Sequence, residues 1–241
     1  MNKILSFIFF IFFSTIIFGQ TPKGNDVTAP LHTLQPDYAV PYGSPKIADV
    51  KIILDKVFHY LDSVTPAQLV DRRSGKVVTD VASLDTNTIL KQGDYRLTSY
   101  EWGVTYSGML RAGETTGDSK FTNYTVDRLN FISNAMPSLK TLLRKYPSSR
   151  NALKQTIDPK ALDDAGAICA AFIKTFRTTN QSAHRHVIDN LINYITAKEY
   201  RFSDGTLARN RPIKNTLWLD DLYMSVPAIA QMGKLTSDKK Y

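Results

Sequence analysis

Residues 163–184 read DDAGAICAAFIKTFRTTNQSAH. Two acids open the stretch, small and apolar residues fill its middle, and a Thr-Thr-Asn turn closes it. A helix with so few charges on any face is one buried all round. The same layout occurs upstream in residues 100–121, YEWGVTYSGMLRAGETTGDSKF, and downstream in residues 220–241, DDLYMSVPAIAQMGKLTSDKKY. Each copy starts with acidic or aromatic residues and reaches its turn at Thr116, Thr179 or Thr236. Those threonines are 63 and 57 residues apart, and self-similarity at a near-fixed spacing marks a tandem helical architecture. After the first two turns, residues 119–133 and 182–197 place Lys, Arg, Asp and Asn between apolar positions, the pattern of helices with one wet face.

Buried helices alternating with half-exposed ones describe an all-α fold of concentric helical hairpins. Six such hairpins would need roughly 360 residues at the observed period. On that scaling residues 46–241 are expected to supply a leading helix, two complete hairpins and the start of a third, about the first half of one ring-shaped domain. In such a ring the inner helices run parallel, with their N-termini at one rim. Counting back 15 residues from each turn threonine gives Glu101, Asp164 and Asp221, and counting back 16 gives Tyr100, Asp163 and Asp220. The carboxylates should therefore gather around one pocket.

The remaining sequence sets the context. Met1-Asn2-Lys3 is followed by an apolar run to Phe18 that ends in Gly19-Gln20-Thr21. This is the layout of a secretory signal peptide over residues 1–20, and the run is shorter than the ~20 residues a membrane span needs. The expected address is secreted or periplasmic, in a bacterium, with no stable membrane insertion after cleavage. Residues 21–45 are proline-rich and read as an extended leader. Ile47, Val50, Leu54, Val57 and Leu61 then mark an amphipathic helix. Residues 64–98 are polar and irregular, with turn signals at Ser74-Gly75 and Gly93-Asp94, and read as a long functional loop. One cysteine, Cys169, excludes an intramolecular disulfide. The net charge of +8 comes from scattered Lys and Arg rather than a patch, so no nucleic-acid partner is expected. A positive field suits an acidic polysaccharide equally well.

Acids in a first helical turn gain ~0.3–1 kcal/mol each from the helix dipole, which is the ordinary reason to find them there. Two Asp pairs at equivalent repeat positions ask for more. A carboxyl group desolvated by apolar neighbours has a raised pKa and can act as a general acid near neutral pH. Trp102, Tyr106 and Trp218 are core residues or, beside these acids, stacking platforms for a sugar. Asp204-Gly205 between short extended runs signals a hairpin. It would bring Arg209 or Arg211 close to Asp220, where a guanidinium could pair with a substrate carboxylate. The four histidines lie outside the acidic segments and support neither a zinc set nor a Ser-His-Asp arrangement. No Gly-rich phosphate loop is present, and Cys169 reads as a small core residue.

Three stretches carry a family resemblance: LTSYEWGVTYSGMLRAGETTGD (97–118), ALDDAGAICAAF (161–172) and DGTLARNRPIKNTLWLDDLYMSVP (204–227). They resemble glycoside hydrolase family 105, the unsaturated rhamnogalacturonyl hydrolases, which are similar to the unsaturated glucuronyl hydrolases of family 88. The resemblance implies an (α/α)6 toroid and removal of a Δ4,5-unsaturated uronic acid from lyase-cut pectin oligosaccharides, without a metal or cofactor. It maps the family's catalytic acid onto Asp220, which precedes the Leu-aromatic-Met run by one residue. A second active-site acid falls on Asp164, with Asp163 beside it. The family's His-Lys pair falls near Arg209-Asn210, a departure that bears on how a substrate carboxylate would be held. Further family site residues would lie beyond Tyr241, so this stretch alone is expected to be inactive. A non-catalytic ring that binds acidic oligosaccharides, and a toroidal polysaccharide lyase, are the alternatives.

Overall fold

The structure, a computed structural model, describes residues 44–147 and 153–241. The signal-peptide reading and nearly all of the leader lie outside the described residues. The first helix, α1, spans Ile47–Val64, as the spacing of its apolar residues predicts. Its packed face is narrower than that spacing implies. Leu54, Phe58 and Leu61 rest against the core, while Ile47, Val50 and Val57 are exposed.

The three repeat copies are helices α2 (Tyr100–Thr116), α5 (Leu162–Thr179) and α7 (Leu219–Thr236). Each ends at its turn threonine, and the next residue (Gly117, Asn180 or Ser237) adopts the left-handed conformation that stops a helix. The threonine hydroxyls donate to the carbonyl four residues back, at Ala112, Thr175 and Met232. At the first and third turns the match extends further. Asp118 and Asp238 donate their N–H groups to Thr116 Oγ1 and Thr236 Oγ1. Their carboxylates accept the N–H groups of Lys120 and Lys240. The repeat is thus a repeat of turn chemistry as well as of hydrophobicity.

These three helices lie side by side and parallel. Tyr100 at the α2 N-terminus bonds Asp164 at the α5 N-terminus, and at the far ends Glu114 pairs with Lys174 and Arg177 with Gln231. Close approach depends on glycine. A β-carbon on Gly103 would collide with Ala167, and one on Gly166 with the Met224 carbonyl. The expectation that all three are buried all round holds only for α5, in which every residue from 165 to 173 is buried. Helix α7 buries only Asp221, Ser225, Ala228 and Met232 and exposes Leu219, Tyr223 and Val226.

Outside this layer lie α3 (Ser119–Lys145), which packs on α2, and α6 (Arg185–Asn193), which packs on α5. Helix α3 runs twelve residues past its expected end at 133, through Pro137. The buried residues Met136, Leu139 and Leu142 continue its apolar stripe, and that anchoring outweighs the hydrogen bond lost at proline. Before α6 comes a short 3₁₀ turn at Ser182–His184, and after it a π-turn at Tyr194–Lys198. A single-turn helix, α4, spans Lys154–Ile157.

Residues 64–98 are not a structureless loop. They hold a three-stranded antiparallel sheet of β1 (Leu69–Asp71), β2 (Val77–Val78) and β3 (Thr88–Leu90), in the order β2-β1-β3. Both turn signals are in place. Asp71 Oδ1 accepts the N–H groups of Arg73 and Ser74 ahead of Gly75, and Gly93 passes so close to the Val64 carbonyl that no side chain would fit. Beneath lies a buried polar cluster. Arg128 donates to Thr65 and Asp62 and sits 3.6 Å over the Tyr124 ring, which ties the end of α1 to α3. The described chain is mostly helical, and no described helix is long and apolar enough to cross a membrane.

Candidate active site

The parallel packing of α2, α5 and α7 sets their first turns at one rim, and the carboxylates meet there through a single arginine. The loop from Glu199 to Trp218 begins with a tight turn. Thr206 N–H donates to Asp204, and Gly205 takes a positive φ, as the Asp204-Gly205 signal predicts. The strand-like run after it pairs Arg209 with Thr216. That bridge points the Arg209 side chain back to the rim. Its Nη2 donates to Asp163 at 2.6 Å and to Asp221 at 2.8 Å, and its Nε donates to the other Asp221 oxygen. The guanidinium carbon lies 4.3 Å over the Trp218 ring. Asp221, above all, holds the guanidinium firmly charged and raises its pKa above the ordinary value.

Each predicted residue thus acquires a definite place. Asp221 is 1% exposed, and both of its oxygens face Arg209. Asp163 gives one oxygen to Arg209 and the other to the N–H of Asp164. Asp164 accepts the Tyr100 N–H at 2.8 Å and the Gln155 side-chain amide at 2.7 Å. Its carboxyl is raised above the usual range, by burial first and by the neighbouring Asp163 charge next, while the Tyr100 N–H opposes the shift. Asp220 is exposed, and among the described residues no hydrogen bond or ion pair holds its carboxyl. The negative charge at this corner is felt by the Tyr100 hydroxyl, whose pKa is raised by Glu101 first and also by Asp220 and Asp163.

Two of the three aromatics take the core alternative. Tyr106 is fully buried, with its hydroxyl donating to the Leu97 carbonyl. Trp102 is covered as well, with its indole N–H on Tyr124 and its ring stacked under Tyr95 at 4.6 Å. Both are core residues, because their polar tips found partners inside and their faces are packed. Trp218 does lie at the surface, 40% exposed, with its indole N–H on Thr216. Tyr95, which the sequence reading passed over, is 43% exposed. It lies on Trp102, with Tyr60 set edge-on to it. No periodic signal marks it, since it lies in the irregular approach to α2.

The arginine expectations divide in the same way. Arg209 is spent on Asp163 and Asp221, so it is not an open partner for a ligand carboxylate. Arg211 is exposed and lines, with Leu162, Glu199, Arg209 and Asn210, a cavity of about 160 Å³. A shallow groove of about 300 Å³ runs along the faces of α2, α5 and α7 past Ser107, Lys174 and Tyr223. Among the described residues no three His, Cys, Asp or Glu side chains are grouped as metal ligands.

A rim of paired carboxylates, one of them with its pKa raised by burial and one open to solvent, can deliver a proton to a bound sugar and manage the water that follows. The comparisons with known proteins agree with carbohydrate chemistry. The profile of Glycosyl Hydrolase Family 88 matches residues 69–241, which takes in the small sheet, all three parallel helices and every residue of the rim cluster. Among curated proteins no match is found. The match falls on family 88, the family that the motif reading set beside family 105, and not on family 105 itself. Spanning well over half of the sequence, it makes the chain a glycoside hydrolase that belongs to glycosyl hydrolase family 88.

Proposed function

We propose that this glycoside hydrolase is of the unsaturated rhamnogalacturonyl hydrolase type, as in family 105. Its substrate is the Δ4,5-unsaturated uronic acid at the non-reducing end of lyase-cut rhamnogalacturonan oligosaccharides, and its setting is secreted or periplasmic. Its catalytic domain has the (α/α)6 toroid architecture, with the three parallel helices in the inner ring and their packing partners in the outer one. Asp220 is the proton donor. It protonates C4 of the vinyl ether, and water adds at C5 and gives up a proton. The resulting hemiketal opens to a ketone, and the C1–oxygen bond breaks to release the remaining oligosaccharide as an alcohol. Asp164 is the second active-site carboxyl, and burial raises its pKa in the direction that suits a proton-exchanging group. With Arg209 occupied, Arg211 is the basic residue of the predicted pair open to the substrate carboxylate. Trp218 and Tyr95 supply apolar surface for sugar rings.

The observation that carries this reading is the state of the second acid pair. Asp221 is buried on Arg209, whereas Asp220, one residue earlier, stands exposed without a partner among the described residues. A general acid must be free to reach its substrate, and of these two only Asp220 is. The test supplies the full-length protein with an unsaturated rhamnogalacturonan disaccharide and follows the ultraviolet absorbance of the conjugated double bond. Absorbance is expected to fall with wild type and to persist with Asp220→Asn. A wild-type protein that leaves it unchanged would remove the substrate assignment, and an undiminished Asp220→Asn would remove the acid.

A further inference from the structure

Among the described residues, Arg209 is the one side chain that bonds to both acid pairs. It links α5 to α7 through Asp163 and Asp221, it is backed by Trp218, and all three members of the ion cluster are largely withdrawn from solvent. We propose that Arg209 is a positioning residue, a clamp that fixes the first turns of α5 and α7 against each other and sets the charge surrounding Asp220, and that it takes no part in binding the substrate carboxylate. This deepens the functional reading above and rests on Asp220 as the acid.

The physical argument has two parts. The first is geometric. Asp220 lies in the first turn of α7, next to a residue whose two carboxylate oxygens are both held by Arg209, so a bidentate ion pair orients the turn that carries the acid. A misplacement of ~1 Å at a reacting group can cost ~100-fold in rate. The second is electrostatic. Facing this corner are Tyr100 and Glu101 from α2, Asp163 and Asp164 from α5, Asp221 from α7, Arg96 from the loop before α2, and Glu199 and Arg211 from the loop bearing Arg209. Negative charge predominates there, and Arg209 is the cation bound into its centre. Without it, Asp163 and Asp221 would stand uncompensated and repel each other across the start of α5 and α7.

The test pairs kinetics on the unsaturated disaccharide with amide hydrogen exchange in the ligand-free, full-length protein. In Arg209→Gln kcat should fall by about 10- to 100-fold with KM little changed, and the first-turn amides of α5 and α7 should exchange about tenfold faster. Arg209→Lys keeps the charge but loses the two-pronged grip, and should leave kcat low and that exchange fast. Asp221→Asn breaks the bidentate pair with little change of shape and should speed exchange at the same amides. That variant decides the matter even where Arg209→Gln fails to fold. First-turn exchange unmoved in Asp221→Asn and in any folded Arg209→Gln overturns the clamp, as does a variant at Arg209 that raises KM at constant kcat. Hydrogen exchange needs no substrate. Faster exchange in a protein inert toward the disaccharide would therefore keep the clamp and remove the hydrolase assignment alone.

Discussion

Helices α5 and α7 open on the same three letters, Leu-Asp-Asp, at matching positions of the repeat, and put their acids to different uses. The second acid of each pair reaches back toward the preceding parallel helix. Asp164 does so directly, to the Tyr100 N–H, and Asp221 does so through Arg209, which it shares with Asp163. The first acids part company. Asp163 is tied down because the Glu199–Trp218 loop carries a guanidinium across the start of α5. Asp220 has no such cation over it among the described residues. Equivalent sequence positions therefore yield one restrained carboxylate and one available one. What separates them is the neighbour that each helix meets.

The sharpest way to break this contrast is to exchange carboxylate for amide at both first positions. Asp220→Asn should lower the rate of double-bond loss by ~10²–10⁴-fold, the usual worth of a general acid, and leave the urea midpoint unchanged. Asp163→Asn should act chiefly on stability. It removes a charge-assisted hydrogen bond from a half-buried arginine, costs ~1.5–3 kcal/mol in urea denaturation, and lowers the rate by less than Asp220→Asn does, only through the loosened Arg209 clamp. If the two variants lose activity equally, the positions are not functionally distinct.

A smaller effect checks the packing behind the contrast. Gly166→Ala drives a methyl group into the Met224 carbonyl at the α5–α7 contact and should destabilise by ~1–3 kcal/mol. Gly108→Ala on α2, where a β-carbon meets nothing within 4 Å, should stabilise by ~0.5–1 kcal/mol. Thermal melts of the two variants should move in opposite directions, and equal shifts would mean that the close approach is not what holds α5 to α7.

The mildest test lies away from the acidic rim, beside Phe172 of α5. His184 is buried edge-on against Phe172, with Nε2 on Asn130 and, among the described residues, no partner for Nδ1. Burial holds its pKa down from 6.5 to about 4. The unfolded chain therefore binds this proton first as pH falls. The stability contributed by neutral His184 should be complete above pH 6.5, decline between 6.5 and about 4, and reach its floor below. Urea midpoints of wild type and His184→Gln should converge over that window, and parallel curves would contradict the assignment.

Much of this was legible in the chain. The turn threonines located the ends of α2, α5 and α7 because a threonine followed by Gly, Asn or Ser writes a local stop that needs no tertiary help. The matched acid positions placed the carboxylates at one rim because helices of nearly equal length, packed in parallel, share a rim. The small sheet was not legible, since strands of two or three residues are too short for alternation to show. The length of α3 was obscured by Pro137, a local stop overruled by buried residues on either side. The aromatics misled for another reason. Trp102 and Trp218 flank acidic positions alike, and nothing local records that Tyr95 covers one of them and leaves the other at the surface.

The sequence by itself determined the helical repeat, the three matched helices and the set of acids at their first turns, because periodicity and turn chemistry are local and survive without neighbours. Only the tertiary structure decided which acid is free. Arg209 reaches Asp163 across 46 residues and Asp221 across 12. An ion pair between segments so far apart is fixed by packing rather than by any pattern the chain spells out in order.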